Sequence, residues 1–279
     1  MHADPSEAGE SSAGSQSHLQ WTDLADLTIL YENGPCMVVF KPPGLSTQAP
    51  VAFDSLELRV KALLRSRAEE AARLAATAGA GESATRQAAS DRVYLGVPHR
   101  LDRPVSGPVV FALTRRAARR LSKQFERRLV EKVYWVAVAG QVEPESGTWR
   151  DIMRKVPYES RAEITTADMP EAKTAVLHYR TLGRGAFGSW LEVRLETGRM
   201  HQIRIQAASR GWPVLGDKLY GCEVPYGPAT DDKSQQAIAL HGRSLAFGHP
   251  LTRELVTVVA EPPPQWQALG LTSLARTPA

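Results

Sequence analysis

Asp102 stands in the stretch "GVPHRLDRPVSGPVVFALT", Gly96 to Thr114, between Arg100 and Arg103 and three positions after His99. An aspartate so flanked keeps its charge, which suits a nucleophile or a base and makes it a poor acid at neutral pH. From this segment alone a structural arginine–carboxylate pair is the more economical explanation. A second cluster lies in "LETGRMHQIRIQAASRGWPVLGDKLYG", residues 195–221, where Arg199, His201, Gln202 and Arg204 fall within six positions beside Gly198. As an extended segment it would face His201 and Ile203 one way and Gln202 and Arg204 the other. A second guanidinium would then be available to a distant carboxylate, with donors left for a phosphate or a base. Periodicity does not separate strand from helix for this run. The third candidate is Tyr134 in "EKVYWVAVAG". A strand tyrosine is ordinarily core, but Trp135 must point to the opposite face, which leaves one of the two rings available to stack on a base.

Other chemistries find little support. His178, His201, His241 and His249 show neither H-x-x-x-H nor H-E-x-x-H spacing, so no metal site is expected. "GRGAFG" lacks the Lys-Ser/Thr of a phosphate loop and reads as a β-turn, and no G-x-S-x-G elbow supports a serine hydrolase. A glycoside hydrolase would need a second acid, such as Glu196, facing Asp102, and only one acid sits among the motifs.

These residues must be held by an α+β chain. "LTILYENGPCMVVFKPPGL" reads as two strands around a turn at Asn33-Gly34, closed by Lys41-Pro-Pro-Gly. Residues 54 to about 76 read as helix with Asp54 as N-cap, followed by a small, polar and mobile loop. "TRRAARRLSKQFERRLVEK" reads as a helix with Ala118, Leu121, Phe125 and Leu129 on one stripe. Arg116, Arg119, Arg120, Lys123 and Arg127 then fall within about a 100° arc on the other side, a ridge suited to a phosphate backbone. Beyond it, "KVYWVAVAG", "AVLHYRTL", "SWLEVRLETG", "IALHGRSLAFGHP" and "LVTVVAEPPP" are strand candidates. They do not alternate with helices, so the sheet is expected to be largely antiparallel.

The chain has 279 residues, a net charge of +4 and a mildly basic balance that favours an anionic partner. No apolar run approaches a membrane span, and residues 1–20 have neither the basic nor the apolar region of a secretory signal, so a cytoplasmic protein is expected. That stretch is rich in Ser, Gly and acids and reads as a disordered tail. Cys36 and Cys222, the two cysteines, suggest buried free thiols rather than a disulfide. One domain is expected over 21–264, with a C-terminal tail at 265–279 and a monomer as the default state.

Together the segments resemble the pseudouridine synthases of the RluA type. The family's "HRLD…SG" stands here as His99 to Asp102 with Ser106-Gly107, its "TGRxHQIR" as Thr197 to Arg204, and its "GDxxYG" as Gly216 to Gly221. Its "LHxxxLxFxHP" stands as Leu240 to Pro250, and "ILYE" and "VVFKPPGL" resemble its N-terminal strands. Five motifs in the expected order, from about residue 28 to 262, outweigh the salt-bridge explanation of Asp102. The resemblance implies a mixed, largely antiparallel sheet with flanking helices and a central cleft. It also implies isomerisation of uridine to pseudouridine in ribosomal or transfer RNA, without cofactor or metal. On that basis Asp102 is the catalytic carboxylate, Tyr134 stacks on the uracil, Arg204 pairs with Asp102, and Arg100 helps to displace the uridine from its helix. Lys41, Arg199, His201, Gln202, Arg116 and Arg120 are expected to contact RNA. Val105 stands where many members have Thr, Gln206 where a histidine is commoner, and the Ala-rich segment at about 68–90 is poorly matched and reads as an insertion. The competing function is an RNA-binding or RNA-folding factor on the same scaffold that has lost turnover.

Overall fold

The computed structural model describes residues 27–50, 52–77, 93–232 and 235–269. The expected N-terminal tail, the loop after the first helix and residues 270–279 lie outside the described residues. Strands β1 (Ile29–Asn33), β2 (Cys36–Lys41) and β3 (Gly107–Ala112) form a small sheet in the order β1-β2-β3. Seven more strands form the main sheet: β4 (Glu131–Ala139), β5 (Ser146–Lys155), β6 (Ala162–Ile164), β7 (Lys173–Gly185), β8 (Gly188–Leu195), β9 (Leu240–Gly248) and β10 (Leu255–Val259). Their order is β10-β9-β4-β8-β7-β5-β6, and every ladder in both sheets is antiparallel. Among the described residues parallel pairing is confined to isolated bridges such as Ser106–His241. Helices α1 (Leu56–Thr77), α2 (Arg115–Glu126) and α3 (Gln202–Ala208) complete the α+β architecture.

Local sequence accounts for the first hairpin. Asn33 is the last paired residue of β1, opposite Cys36, so the turn itself is Gly34-Pro35, one residue later than the sequence suggested. Gly34 takes φ +52, which costs a glycine little, and Pro35 has no N–H to leave unpaired. α1 begins two residues later than expected because Ser55, not Asp54, caps it: Ser55 Oγ accepts from Leu58 N at 3.3 Å while Asp54 is drawn into an ion pair with Arg59. Residues 68–77 of the Ala-rich segment are the last turns of this helix. α2 is capped by Thr114 and buries Ala117 and Leu121. Leu129, expected on its apolar stripe, falls after the helix end and is 63% exposed.

The core runs between the sheets and through the main sheet's covered face. Trp135 and Trp190 meet edge to face at 5.0 Å between ring centroids, both buried. The two sheets touch where β3 begins. Gly107 takes φ +141, and a Cβ there would lie 2.8 Å from the Gly242 backbone in β9, so only glycine allows this crossing. The described core also extends past residue 264: Pro264–Leu269 form a 3₁₀ turn whose Trp266 is 3% exposed and packs on His241 and Tyr226.

Candidate active site

Asp102 sits on an irregular loop that is pinned from both sides. Upstream, Thr47 Oγ1 donates to Leu101 O at 2.9 Å and accepts from Leu101 N at 3.1 Å. Downstream, Arg103 O accepts from Gly44 N at 2.8 Å and from Lys41 Nζ at 3.0 Å. Lys41 Nζ also donates to Pro42 O and Leu45 O. Lys41 is fully buried, so the expected phosphate contact is corrected: its ammonium joins the loop after β2 to the Asp102 loop and presents no donor to solvent. Burial, partly offset by the charge of Asp102, brings its pKa down to about 7. Ser106 closes the loop, its hydroxyl 2.9 Å from His241 Nδ1, while His241 Nε2 lies 2.9 Å from Ala260 O. A carbonyl can only accept, so Nε2 carries the proton and Nδ1 accepts from Ser106.

The side chain of Asp102 is 22% exposed and faces two residues from the second cluster. Arg204 Nη1 lies 3.5 Å from Asp102 Oδ2, and His201 Nε2 lies 3.6 Å from the same oxygen. The cluster is helical rather than extended. α3 therefore puts Arg204 and His201 on the Asp102 side together, where an extended run would have separated them. Arg204 is 4% exposed and gripped from behind by Asp217, with Nε to Oδ2 at 2.6 Å and Nη2 to Oδ1 at 2.8 Å. Burial opposes its charge, but the hydrogen bonds and charge of Asp217, and then the charge of Asp102, outweigh that and hold the guanidinium above its ordinary pKa.

His201 takes a left-handed φ of 52 at the start of α3, and its Nδ1 lies 2.9 Å from Tyr220 Oη. Tyr220 Oη in turn accepts from Ala162 N at 2.9 Å. A carboxylate facing Nε2 favours the proton there, with Nδ1 accepting from Tyr220. Burial lowers the pKa of His201 despite the charge of Asp102, so a neutral imidazole faces the carboxylate at neutral pH. Its side chain is only 9% exposed, so this histidine is turned to Asp102 rather than outward to an RNA backbone.

Gln202 is a second correction. It is 3% exposed; Oε1 accepts from Thr197 Oγ1 at 2.8 Å and Arg199 N at 3.0 Å, and Nε2 donates to Val176 O at 3.1 Å. These bonds fold the turn after β8 onto β7 and leave RNA nothing to read. Among the described residues only Nε of Arg199 is engaged, with Thr174 O at 3.0 Å, which leaves its other donors to the cleft that the side chain lines.

Two adjoining clefts meet at Asp102. One, about 470 Å³, is lined by Tyr134, Lys132, Arg128, Thr197 and Arg199 on the side of β4 and the end of β8. The other, about 630 Å³, lies toward Thr47, Arg103 and Arg161. Arg100, Asp102, His201 and Arg204 line both, and Arg100 is exposed. Tyr134 and Lys132, two apart on β4, share the face toward the first cleft, and Trp135 packs on the other face. Burial, reinforced by the charge of Asp102, raises the Tyr134 pKa, so its phenol remains protonated. Among the described residues no group of three His, Cys, Asp or Glu converges as metal ligands, and no helix is long and apolar enough to cross a membrane.

On α2, Arg116, Arg119 and Lys123, and with them its C-cap Arg127, are exposed and have no ion-pair partner among the described residues. Arg120 differs from expectation: half-buried, it donates through Nη1 to Pro250 O and ties the helix to the turn after β9. Asp217 and Tyr220 were missed as members of the site. Their signal was present in "GDKLYG", but nothing in that run indicates that its carboxylate is buried against an arginine 13 residues earlier.

A profile described as RNA pseudouridylate synthase matches residues 36–209. An uncharacterised RNA pseudouridine synthase of Mycobacterium bovis is 32% identical over 246 residues, covering 88% of this chain and 72% of that one. A ribosomal large subunit pseudouridine synthase D of Xanthomonas campestris is 34% identical over 261 residues, covering 91% and 71%. In three dimensions the chain resembles human RNA pseudouridylate synthase domain containing 1, with a TM-score of 0.61 at 21% identity over 86% of this chain and 85% of that one, a likeness of fold. With the matched profile spanning the Asp102 loop, Tyr134 and α3, the chain belongs to the RNA pseudouridylate synthase family, among its RluA-type members.

Proposed function

We propose that Asp102 is the catalytic carboxylate of an RNA uridine isomerase, that Tyr134 and Arg204 work with it, and that the substrate is ribosomal large-subunit RNA. Membership of the family makes the chain an RNA pseudouridine synthase. The reaction breaks the N1–C1′ bond, turns the uracil, joins C5 to C1′, and moves a proton from C5 to N1, so no atom is gained or lost. It needs one ionised oxygen at the sugar–base junction, acting either by attack on C1′ or by removal of the 2′ proton. The observation that carries the assignment is the placement of Asp102 Oδ2 3.5 Å from Arg204 Nη1 at the meeting of the two clefts.

Arg204, locked to Asp217, orients that carboxylate without covering it: Oδ1 has no hydrogen-bond partner among the described residues. Tyr134 supplies a protonated ring at the wall of the same cleft, suited to stack on a uracil taken out of its helix. Arg100, exposed between the clefts, is suited to occupy the space that the uridine leaves. The choice of ribosomal RNA rests on the relative from Xanthomonas campestris, whose name specifies the large ribosomal subunit.

The test is tritium release from large-subunit ribosomal RNA transcribed with 5-tritiated uridine, compared with a transfer RNA pool transcribed likewise. Release from the ribosomal transcript by wild type and none by Asp102→Ala is expected. Release from transfer RNA alone would refute the choice of substrate, and equal release by the variant would remove Asp102 from the chemistry.

A further inference from the structure

The 470 Å³ cleft is lined by a group of three cations, Lys132, Arg128 and Arg199, in addition to the arginines near Asp102. Lys132 projects from β4 beside Tyr134, half-buried, and its ammonium has neither a hydrogen bond nor an ion pair among the described residues. Its Nζ lies 3.4 Å from where a Cβ on Gly198 would stand, so the missing side chain of Gly198 leaves room above it. Arg199, the next residue, spends only Nε on Thr174 O. Arg128 enters from the loop after α2 with a left-handed φ of 58, a conformation that a non-glycine residue adopts at a cost. Its nearest acid, Glu196, stands at 4.0 Å and is shared with His178 at 3.6 Å. Glu196 and Glu126 are exposed at the rim. The charge of Arg128 depresses the pKa of both Lys132 and Arg199, after burial as the larger cause, so Arg128 repels both, while its one acid partner among the described residues, Glu196, is exposed at the rim.

A half-buried ammonium without a partner is costly unless something arrives to pair with it. We propose that Lys132, with Arg128 and Arg199, forms a clamp for a backbone phosphate of the RNA beside the uridine held at Tyr134 and Asp102. This rests on the isomerase reading of the cleft and adds to it a site of stated chemistry, a phosphodiester monoanion. One phosphate held at Lys132 fixes the nucleoside's entry into the cleft, so its sugar–base junction meets Asp102. Lys132 is then a positioning residue, acting on the backbone and not on the reacting atoms.

The test is binding of a fluorescein-labelled hexauridylate, read by anisotropy from low to moderate salt, alongside tritium release on the ribosomal transcript. Each phosphate contact on a single strand contributes about 0.7 to the slope of log affinity against log salt. Lys132→Met should lower that slope by about 0.7 and weaken low-salt binding about tenfold, with the activity loss falling on KM rather than kcat. Lys132→Arg, which retains the charge, should keep the slope and also guards against a folding defect. Lys155→Met, an equal loss of charge at an exposed residue at the end of β5, should bind as wild type.

An unchanged slope and affinity for Lys132→Met overturns the clamp, whatever the turnover. A loss of kcat with a shifted pH profile and unaltered binding also overturns it, because Lys132 would then act on the base. A Lys132-dependent slope in a protein that releases no tritium from any RNA leaves the clamp standing and removes the isomerase reading.

Discussion

Arg204 and Asp217 form a two-bond fork, 2.6 and 2.8 Å, with both side chains at most 5% exposed, and it aims the remaining guanidinium nitrogen at Asp102. An arginine facing a catalytic carboxylate alone would collapse onto it and neutralise it. Here Asp217 takes the strong bonds and Asp102 the weak one, so one cation steers a carboxylate that still has an oxygen to offer. Asp217→Ala takes both short bonds from a buried guanidinium and leaves it only the long contact to Asp102, and about 3–5 kcal/mol of stability should be lost. Urea unfolding measures that loss. Arg204→Lys, which keeps a charge but not the fork, should retain more stability than activity.

Asp102→Asn replaces the reactive oxygen with an amide of nearly the same shape. Turnover should fall by about 10²–10⁴-fold or more, while the unfolding midpoint and RNA affinity stay close to wild type. Parallel loss of affinity and activity would assign Asp102 a structural part, and a retained cellular role for the variant would favour a binding-only factor.

Stability should fall on acidification because the half-buried His99 and the buried His241 resist protonation. Burial, with the nearby charge of Lys132, brings His99 down to about 3, and burial brings His241 down to about 4. His99 Nε2 accepts from Val110 N at 3.0 Å, and its ring stacks on Phe125. In the unfolded chain both titrate near the ordinary value of about 6.5. Their contribution is therefore complete above that pH and is lost as the pH falls toward the folded values, because the unfolded state binds the protons first. Each should add up to about 1.4 kcal/mol per pH unit to the slope of stability in that window. His241→Gln should flatten the slope by one proton in urea titrations between pH 4 and 6, although it also lowers stability at pH 7 by disturbing the Ser106 contact.

The chemistry was more legible than the scaffold that aims it. Asp102, Tyr134 and Arg204 were marked by residue type and motif, and the structure brings them to one cleft. Lys41 and Gln202 were misread because a lysine and a glutamine in a motif look like RNA donors, and only long-range folding reveals the carbonyls that consume them. β5 and β6 went unread for a local reason. The two buried residues of β5, Trp149 and Met153, lie four apart, a helical spacing, and charged residues interrupt the alternation between them. α3 is seven residues long and buries five of them, so it has no amphipathic stripe to announce a helix.

The α2 ridge gives a prediction independent of the cleft. Arg116, Arg119, Lys123 and Arg127 are exposed without ion-pair partners among the described residues, and the chain that follows them enters the cleft at Arg128. A backbone lying along the ridge would thus continue to the site. Replacing all four with Gln should reduce the salt slope of RNA binding by about 3, at about 0.7–0.9 per contact, and raise KM. Stability should change by no more than about 0.5 kcal/mol per substitution, as is usual for exposed side chains. Arg120→Gln should do the reverse, costing stability through the lost bond to Pro250 O and leaving the salt slope nearly unchanged. A ridge variant with the wild-type slope would make the helix a merely solvated face, and RNA would have to approach Asp102 from the side of Arg103 and Arg161.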